Sequence, residues 1–250
     1  MHPTARLTVA AAALLAACAP KEPAPVADTT AAAPATPRAI VTVLYQWPKD
    51  TAAFEAYYPK HLEIVTAAQA EIGFTKAELT RFTMSLQGAK PAFYRQAELY
   101  FPSLEAAQAG MATAGFKRVG DDLANFATGG LIGLVAVETG EASETACPAL
   151  ATVLYDQPLD SAAFEAYYPK HLALVTAGAA EIGFTRADLT KFVSNLDGTP
   201  AARYRQAELC FPSLEAAVKG VGTAAFGKVG NDFPNFATGG LVGMLGVATN

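Results

Sequence analysis

Apolar and polar positions follow two different periods along this chain. Ile40 to Trp47 is a run of β-branched and aromatic residues closed by Pro48, which predicts a strand. Asp50 or Thr51 can then cap a helix, and Phe54, Tyr58, His61 and Val65, at i, i+4, i+7 and i+11, trace one face of it. Pro59 falls inside that helix and predicts a kink or restart around Tyr58. Phe74 to Leu86 reads as a second strand, turned at Gln87-Gly88 into a third from Phe93 to Phe101. Pro102-Ser103 caps a second helix from Leu104 to Thr113, and Gly129-Gly130 opens a last apolar strand to Val137.

The order strand, helix, strand, strand, helix, strand is the ferredoxin-like pattern, a four-stranded antiparallel sheet with both helices on one face. A sheet covered on one side should alternate polar with apolar. Here Val41, Val43 and Tyr45 point one way, Ile40 and Leu44 the other, and Leu131 to Val137 carries no polar residue. The face without helices must therefore meet a second apolar layer, and the chain supplies one. Shifted by 110, residues 41–140 align with 151–250 without a gap, about 63 of the 100 positions being identical. Phe54 to Leu62 recurs as Phe164 to Leu172, Tyr94 to Leu99 as Tyr204 to Leu209, and Asn125 to Leu131 as Asn235 to Leu241. The predicted fold class is α+β: two ferredoxin-like βαββαβ repeats, at 39–139 and 149–250, forming an intramolecular dimeric α+β barrel with sheets face to face and helices outside. The short segment Thr139 to Pro148 makes this association unimolecular, so a monomer is expected.

The N-terminus carries an address. His2 and Arg6 precede an apolar stretch, Leu7 to Ala17, too short to span a bilayer, and residues 1–18 read as a secretory signal. Leu15-Ala16-Ala17-Cys18 resembles the bacterial lipobox, with Cys18 as the acylated residue; the alternative is cleavage nearby with Cys18 incidental. Residues 19–38 are a Pro/Ala-rich tether with no apolar face. Ala19, where an Asp would favour inner-membrane retention, points to the periplasmic side of the outer membrane in a bacterial cell envelope. A chain 52% hydrophobic and 16% charged is not a disordered one. With 18 Lys and Arg against 23 Asp and Glu and no basic run of five, nucleic acid is excluded as a partner.

Tyr57-Tyr58-Pro59-Lys60-His61-Leu62, Ala97 to Ala106, and Asp122 to Gly130 together resemble the EthD family of dimeric α+β barrels, over essentially all of residues 40–250. The resemblance implies a small hydrophobic pocket between helices and sheet in each half, and an oxidoreductase or isomerase-type activity among cofactor-free and haem-containing relatives. The family's usual Pro two residues after the helix His is replaced here by Glu63 and Ala173, while Pro59 and Pro169 lie two residues before it.

His61 and His171 are the histidines left after signal removal, and they sit with Tyr58 and Tyr168 on the apolar face of the first helix of each repeat. An imidazole in a dry pocket beside a phenol can shuttle a proton, so these four are the candidate catalytic residues; the alternative is a packed structural His. Tyr57, Asn125 and Thr128, with Tyr167, Asn235 and Thr238, are candidate ligand-binding residues, though Asn125 and Thr128 equally suit a helix cap and the Gly-Gly turn. Glu98 and Glu208 share a sheet face with Gln96 and Gln206; if that face looks into the barrel, raised carboxyl pKa values and a structural polar network across the two sheets are expected, the alternative being a catalytic role. No metal-ligand spacing and no phosphate loop is present; no cofactor is predicted, and haem on a single axial His stays open. Cys147 and Cys210 are expected to lie too far apart to bond. Trp47 against Gln157, and Ala92-Phe93 against Ala202-Arg203, predict that the two pockets prefer different ligands. The functional expectation is a protein that binds a small apolar or aromatic oxygenated molecule and acts on it by His/Tyr proton transfer. The alternative is a non-catalytic envelope lipoprotein that carries such molecules.

Overall fold

The computed structural model describes residues 36–140, 143 and 145–249. The signal-like segment, Cys18 and the tether up to Ala35 lie outside the described residues. The first repeat comprises β1 (Ala39–Tyr45), α1 (Thr51–Ile72), β2 (Lys76–Ser85), β3 (Arg95–Phe101), α2 (Leu104–Met111), α3 (Ala114–Asp122) and β4 (Leu131–Glu138). The second comprises β5 (Ala149–Tyr155), α4 (Ser161–Ile182), β6 (Arg186–Asn195), β7 (Arg205–Phe211), α5 (Leu214–Val221), α6 (Ala224–Asp232) and β8 (Leu241–Ala248).

All eight strands close one antiparallel barrel in the order β1-β3-β2-β8-β5-β7-β6-β4. The two sheets do more than face each other. Their edges are stitched by β2 to β8 and by β4 to β6, each seam with one register shift, near Phe82 and near Val135. A free edge strand exposes a row of unpaired amides and carbonyls, and mutual pairing removes all four such edges. Alternation then sorts the side chains. Ile40, Leu44, Leu134, Leu154 and Met244 fill the barrel, whereas Val41 and Leu99 point outward beneath α1 and α2. Both faces of β1 are thus buried, as its composition requires.

Polar groups also occupy the barrel interior. Gln96 donates from Nε2 to Glu208 at 3.0 Å and Gln206 to Glu98 at 2.9 Å, a reciprocal pair of bonds that ties repeat to repeat. Thr152 adds a bond to Glu208 at 2.9 Å. Burial, reinforced by neighbouring carboxyls, pushes both glutamates up, Glu98 to about 7.

Three local expectations are corrected. Helix α1 runs unbroken through Pro59, without the restart. Proline there has no amide to offer Glu55, but packing of Phe54, Tyr58 and His61 holds the helix on both sides of the gap. The second helix stops at Met111, and Thr113 starts a further one, its hydroxyl accepting from the Phe116 amide at 3.1 Å. Cys147 and Cys210 form a disulfide, with Cα atoms 5.5 Å apart. The contrary expectation treated first and third strands as parallel neighbours. They are antiparallel, Leu150 facing Cys210, so the segment entering β5 lies beside the end of β7.

Candidate functional site

In repeat 1 the outward face of β1 and β3 and the inner faces of α1 and α3 enclose a chamber of about 510 Å³. Val41, Val43, Ala97 and Leu99 floor it, Phe116, Val119 and Leu123 roof it, and Tyr45, Tyr58 and His61 close one end. Leu196 of repeat 2 crosses the seam above Gly133 and contributes to the wall. A Cβ on Gly133 would come within 2.3 Å of the Leu196 side chain, so any larger residue there would push Leu196 aside. Thr66, Gln69, Thr75 and Lys76 supply polar atoms toward the other end. His61 and Gln69 are eight residues apart on one helix, about 12 Å along its axis.

His61 is 3% exposed and reaches the chamber from the middle of α1. Its Nδ1 lies 2.8 Å from Asp122 Oδ2 at the end of α3. The same carboxylate accepts from the Tyr57 hydroxyl at 2.7 Å and from Asn125 Nδ2 at 2.9 Å. Burial pulls the Asp122 carboxyl up, but these three donors outweigh it and hold the group below its ordinary value. Burial holds the His61 imidazole below its ordinary value, with Asp122 opposing. A neutral ring beside an ionised carboxylate carries its proton on Nδ1, which leaves Nε2 as the basic nitrogen.

Tyr58 stacks on the His61 ring at 6.1 Å between centroids and lies under the Arg95 guanidinium at 4.7 Å. Its hydroxyl is buried without a hydrogen bond of ordinary geometry, its polar neighbour being Tyr45. Burial, partly offset by Arg95, pushes the Tyr58 phenol up to about 12, so it stays protonated. Arg95 itself is clamped by Glu55 at 2.6 Å.

The second repeat reproduces the polar set. His171 Nδ1 lies 2.9 Å from Asp232, which accepts from Tyr167 at 2.8 Å and Asn235 at 2.9 Å. Burial, opposed by Asp232, likewise lowers His171. Its chamber is a remnant of about 40 Å³.

The structure therefore brings His61 and Tyr58, and His171 and Tyr168, to chamber walls. Tyr57 and Asn125, with Tyr167 and Asn235, stand behind the imidazole and hold its carboxylate partner. Thr128 and Thr238 lie off the chambers, accepting from the amides of Lys49 and Leu159 at 3.1 Å. Trp47 and Gln157 occupy equivalent places, each donating to a loop carbonyl at 2.8 Å, Pro91 and Ala201 respectively, so they do not distinguish the chambers. Asp122 and Asp232 were missed as site residues. Their signal was the Asp-x-x-Asn spacing in both copies, legible only once a helix is recognised after Thr113. Among the described residues no group of three or more His, Cys, Asp or Glu is placed to hold a metal.

The EthD domain model matches residues 46–130 and again 156–240. The chain belongs to the EthD family. An uncharacterized 11.0 kDa protein in the thcB-thcC intergenic region of Rhodococcus erythropolis is 35% identical over 92 residues, 36% of this chain and 85% of that protein. An ethyl tert-butyl ether D (EthD) family protein of known structure from Bacillus halodurans is 28% identical, covering 42% of this chain and 99% of its own, with a TM-score of 0.36. An anthrone oxidase-like protein is 11% identical, the match covering 86% of this chain and 92% of that one at a TM-score of 0.60, and it shares the barrel fold.

Proposed function

We propose that this EthD protein binds a small apolar or aromatic, oxygen-bearing molecule in the repeat 1 chamber and that His61 acts on it as a general base. The observation that carries this reading is the Asp122–His61 pair at the end of an apolar chamber of about 510 Å³. That volume falls in the range of small-molecule sites. A proton on a carbon next to a carbonyl, or on a phenol, passes to His61 Nε2. The imidazolium so formed is stabilised by Asp122, and the enolate or phenolate is left in the chamber. Return of the proton to another carbon completes an isomerisation with no co-reactant. The likeness to an anthrone oxidase-like protein supports an aromatic, enolisable ligand class and says nothing of the redox outcome.

The test is exchange of the α-hydrogens of 2-tetralone in deuterated buffer, followed by NMR. The full chain should accelerate exchange, and His61→Gln should lose at least tenfold of that acceleration while tetralone affinity stays within threefold. Equal acceleration by both proteins would remove His61 as the base, and exchange no faster than in buffer would leave the alternative, a carrier.

The protein's place is proposed as the cell envelope, with Cys18 acylated at the outer membrane. The Cys147–Cys210 disulfide supports an oxidising compartment. Cys18→Ser should move the protein from the detergent phase to the aqueous phase; unchanged partitioning would refute the anchor.

A further inference from the structure

We infer that the chain carries one working ligand site, in repeat 1, and that Phe233 is the residue that closes its copy in repeat 2. This rests on reading the repeat 1 chamber as a ligand site. The two chambers are built from equivalent positions, yet they measure about 510 Å³ and about 40 Å³. Along the repeat 1 lining only four positions differ between copies: Val41 against Ala151, Gln69 against Ala179, Lys76 against Arg186, and Leu123 against Phe233. The first two place smaller side chains in repeat 2 and would widen its chamber. Arg186 is drawn to Asp188 at 2.8 Å, much as Lys76 is drawn to Glu78 at 2.8 Å, so this exchange conserves an ion pair.

Phe233 is what remains. Its ring stands 5.1 Å from the His171 ring and 6.1 Å from Tyr155, on the chamber side of the imidazole. With that space taken, Phe226 is buried, whereas its counterpart Phe116 stays half-buried at the wall of the open chamber. Pro234 follows Phe233 where Ala124 follows Leu123, and it sits at the start of the 3-10 turn Phe233–Asn235. Its fixed φ restrains the backbone that carries the ring. The His171–Asp232 pair is therefore complete but has no room for a substrate, and position 123/233 decides the size of ligand each half admits.

Xenon reads apolar cavities without any assumption about the natural ligand. Crystals of wild-type, Leu123→Phe and Phe233→Leu proteins under xenon should show density in the repeat 1 chamber alone, in neither chamber, and in both. Calorimetry with 2-tetralone on the same proteins should give about one, zero and two sites per chain. Comparable xenon in both wild-type chambers, or two tetralone sites in the wild type, overturns the inference. So does Leu123→Phe retaining its site, or Phe233→Leu gaining none. A xenon pattern as stated with no tetralone bound to any protein would instead sink the proposed function and leave the closure by Phe233 standing.

Discussion

Removing one ionisable proton from the barrel interior should change how this protein responds to pH. Glu98 is 3% exposed, faces Glu78 across the β2–β3 pair, and accepts a bond from Gln206 at 2.9 Å and longer ones from Thr42 and Tyr100 at 3.4 Å. Burial first, and Glu78 second, raise its carboxyl from 4.5 to about 7. The folded chain thus holds this proton more tightly than the unfolded chain. Stability from Glu98 is complete below about pH 4.5 and drains away as pH climbs through 7, a loss of about 3 kcal/mol by pH 8. That is a large part of the ~5–15 kcal/mol that separates folded from unfolded domains. Glu208, raised for the same reason, acts in the same direction. His61 and His171, lowered by burial, act oppositely, since their stabilisation is lost as pH falls below 6.5. A wild-type curve alone would mix these effects; the difference between wild type and Glu98→Gln removes the Glu98 carboxyl together with its repulsion of Glu208, and both changes act in the same direction. Urea unfolding of the oxidised protein, followed by circular dichroism from pH 4.5 to 8, should find Glu98→Gln near wild type at the acid end and about 3 kcal/mol more stable at pH 8. A difference that is flat with pH, or that grows toward acid, would refute the assignment of a raised carboxyl to this position.

Asp122→Asn removes the carboxylate that raises the His61 imidazole, so nitrogen-15 NMR should show His61 titrating lower still. Tetralone exchange should fall at least tenfold in the same variant, and an unmoved titration would dismiss the pair. Reducing the Cys147–Cys210 bond, which closes a separation of 63 residues, should cost about 2–4 kcal/mol, seen as a lower thermal midpoint under dithiothreitol. An identical midpoint with and without reductant would show that the bond does not constrain the unfolded chain.

Much of the architecture was legible because periodicity reports burial directly. A strand apolar on both faces, such as Ile40 to Tyr45, demands cover on both sides, and a gapless copy 110 residues on provides it. The interior glutamates followed from the same alternation. What failed had physical causes. Pro59 does not restart the helix, because a packed helix tolerates one missing backbone bond. The segment after Thr113 places Phe116, Val119 and Leu123 at helical spacing, but α3 is short and Lys117, Arg118, Asp121 and Asp122 outnumber its large apolar residues, so it did not announce itself. Asp122 was therefore given no role, and the histidine's true partner stayed hidden behind two conspicuous tyrosines. The cysteines were misjudged through strand direction: an antiparallel register brings the entry of one strand beside the exit of its neighbour, where a parallel one would separate them.

Covalent doubling gives this barrel a freedom that two identical subunits lack. In a symmetric dimer, any change to one chamber appears in both, so a ring placed against the imidazole would abolish every site at once. Joined by the segment between β4 and β5, the halves can differ while still stitching the same seams. The constraint that remains is mutual: Leu196 and Leu86 reach across those seams over Gly133 and Gly243, and Gln96 and Gln206 bond to the opposite repeat's glutamate. Repeat 2 must therefore keep its fold for repeat 1 to keep its wall, even with its own chamber filled. This accounts for a second copy that conserves His171, Asp232, Tyr167 and Asn235 in full geometry around a space too small to use. Of those groups His171 is buried, and truncating Asp232 would leave its Nδ1 without its hydrogen-bond partner in a desolvated place, while Tyr167 and Asn235 hold that carboxylate from nearer the surface.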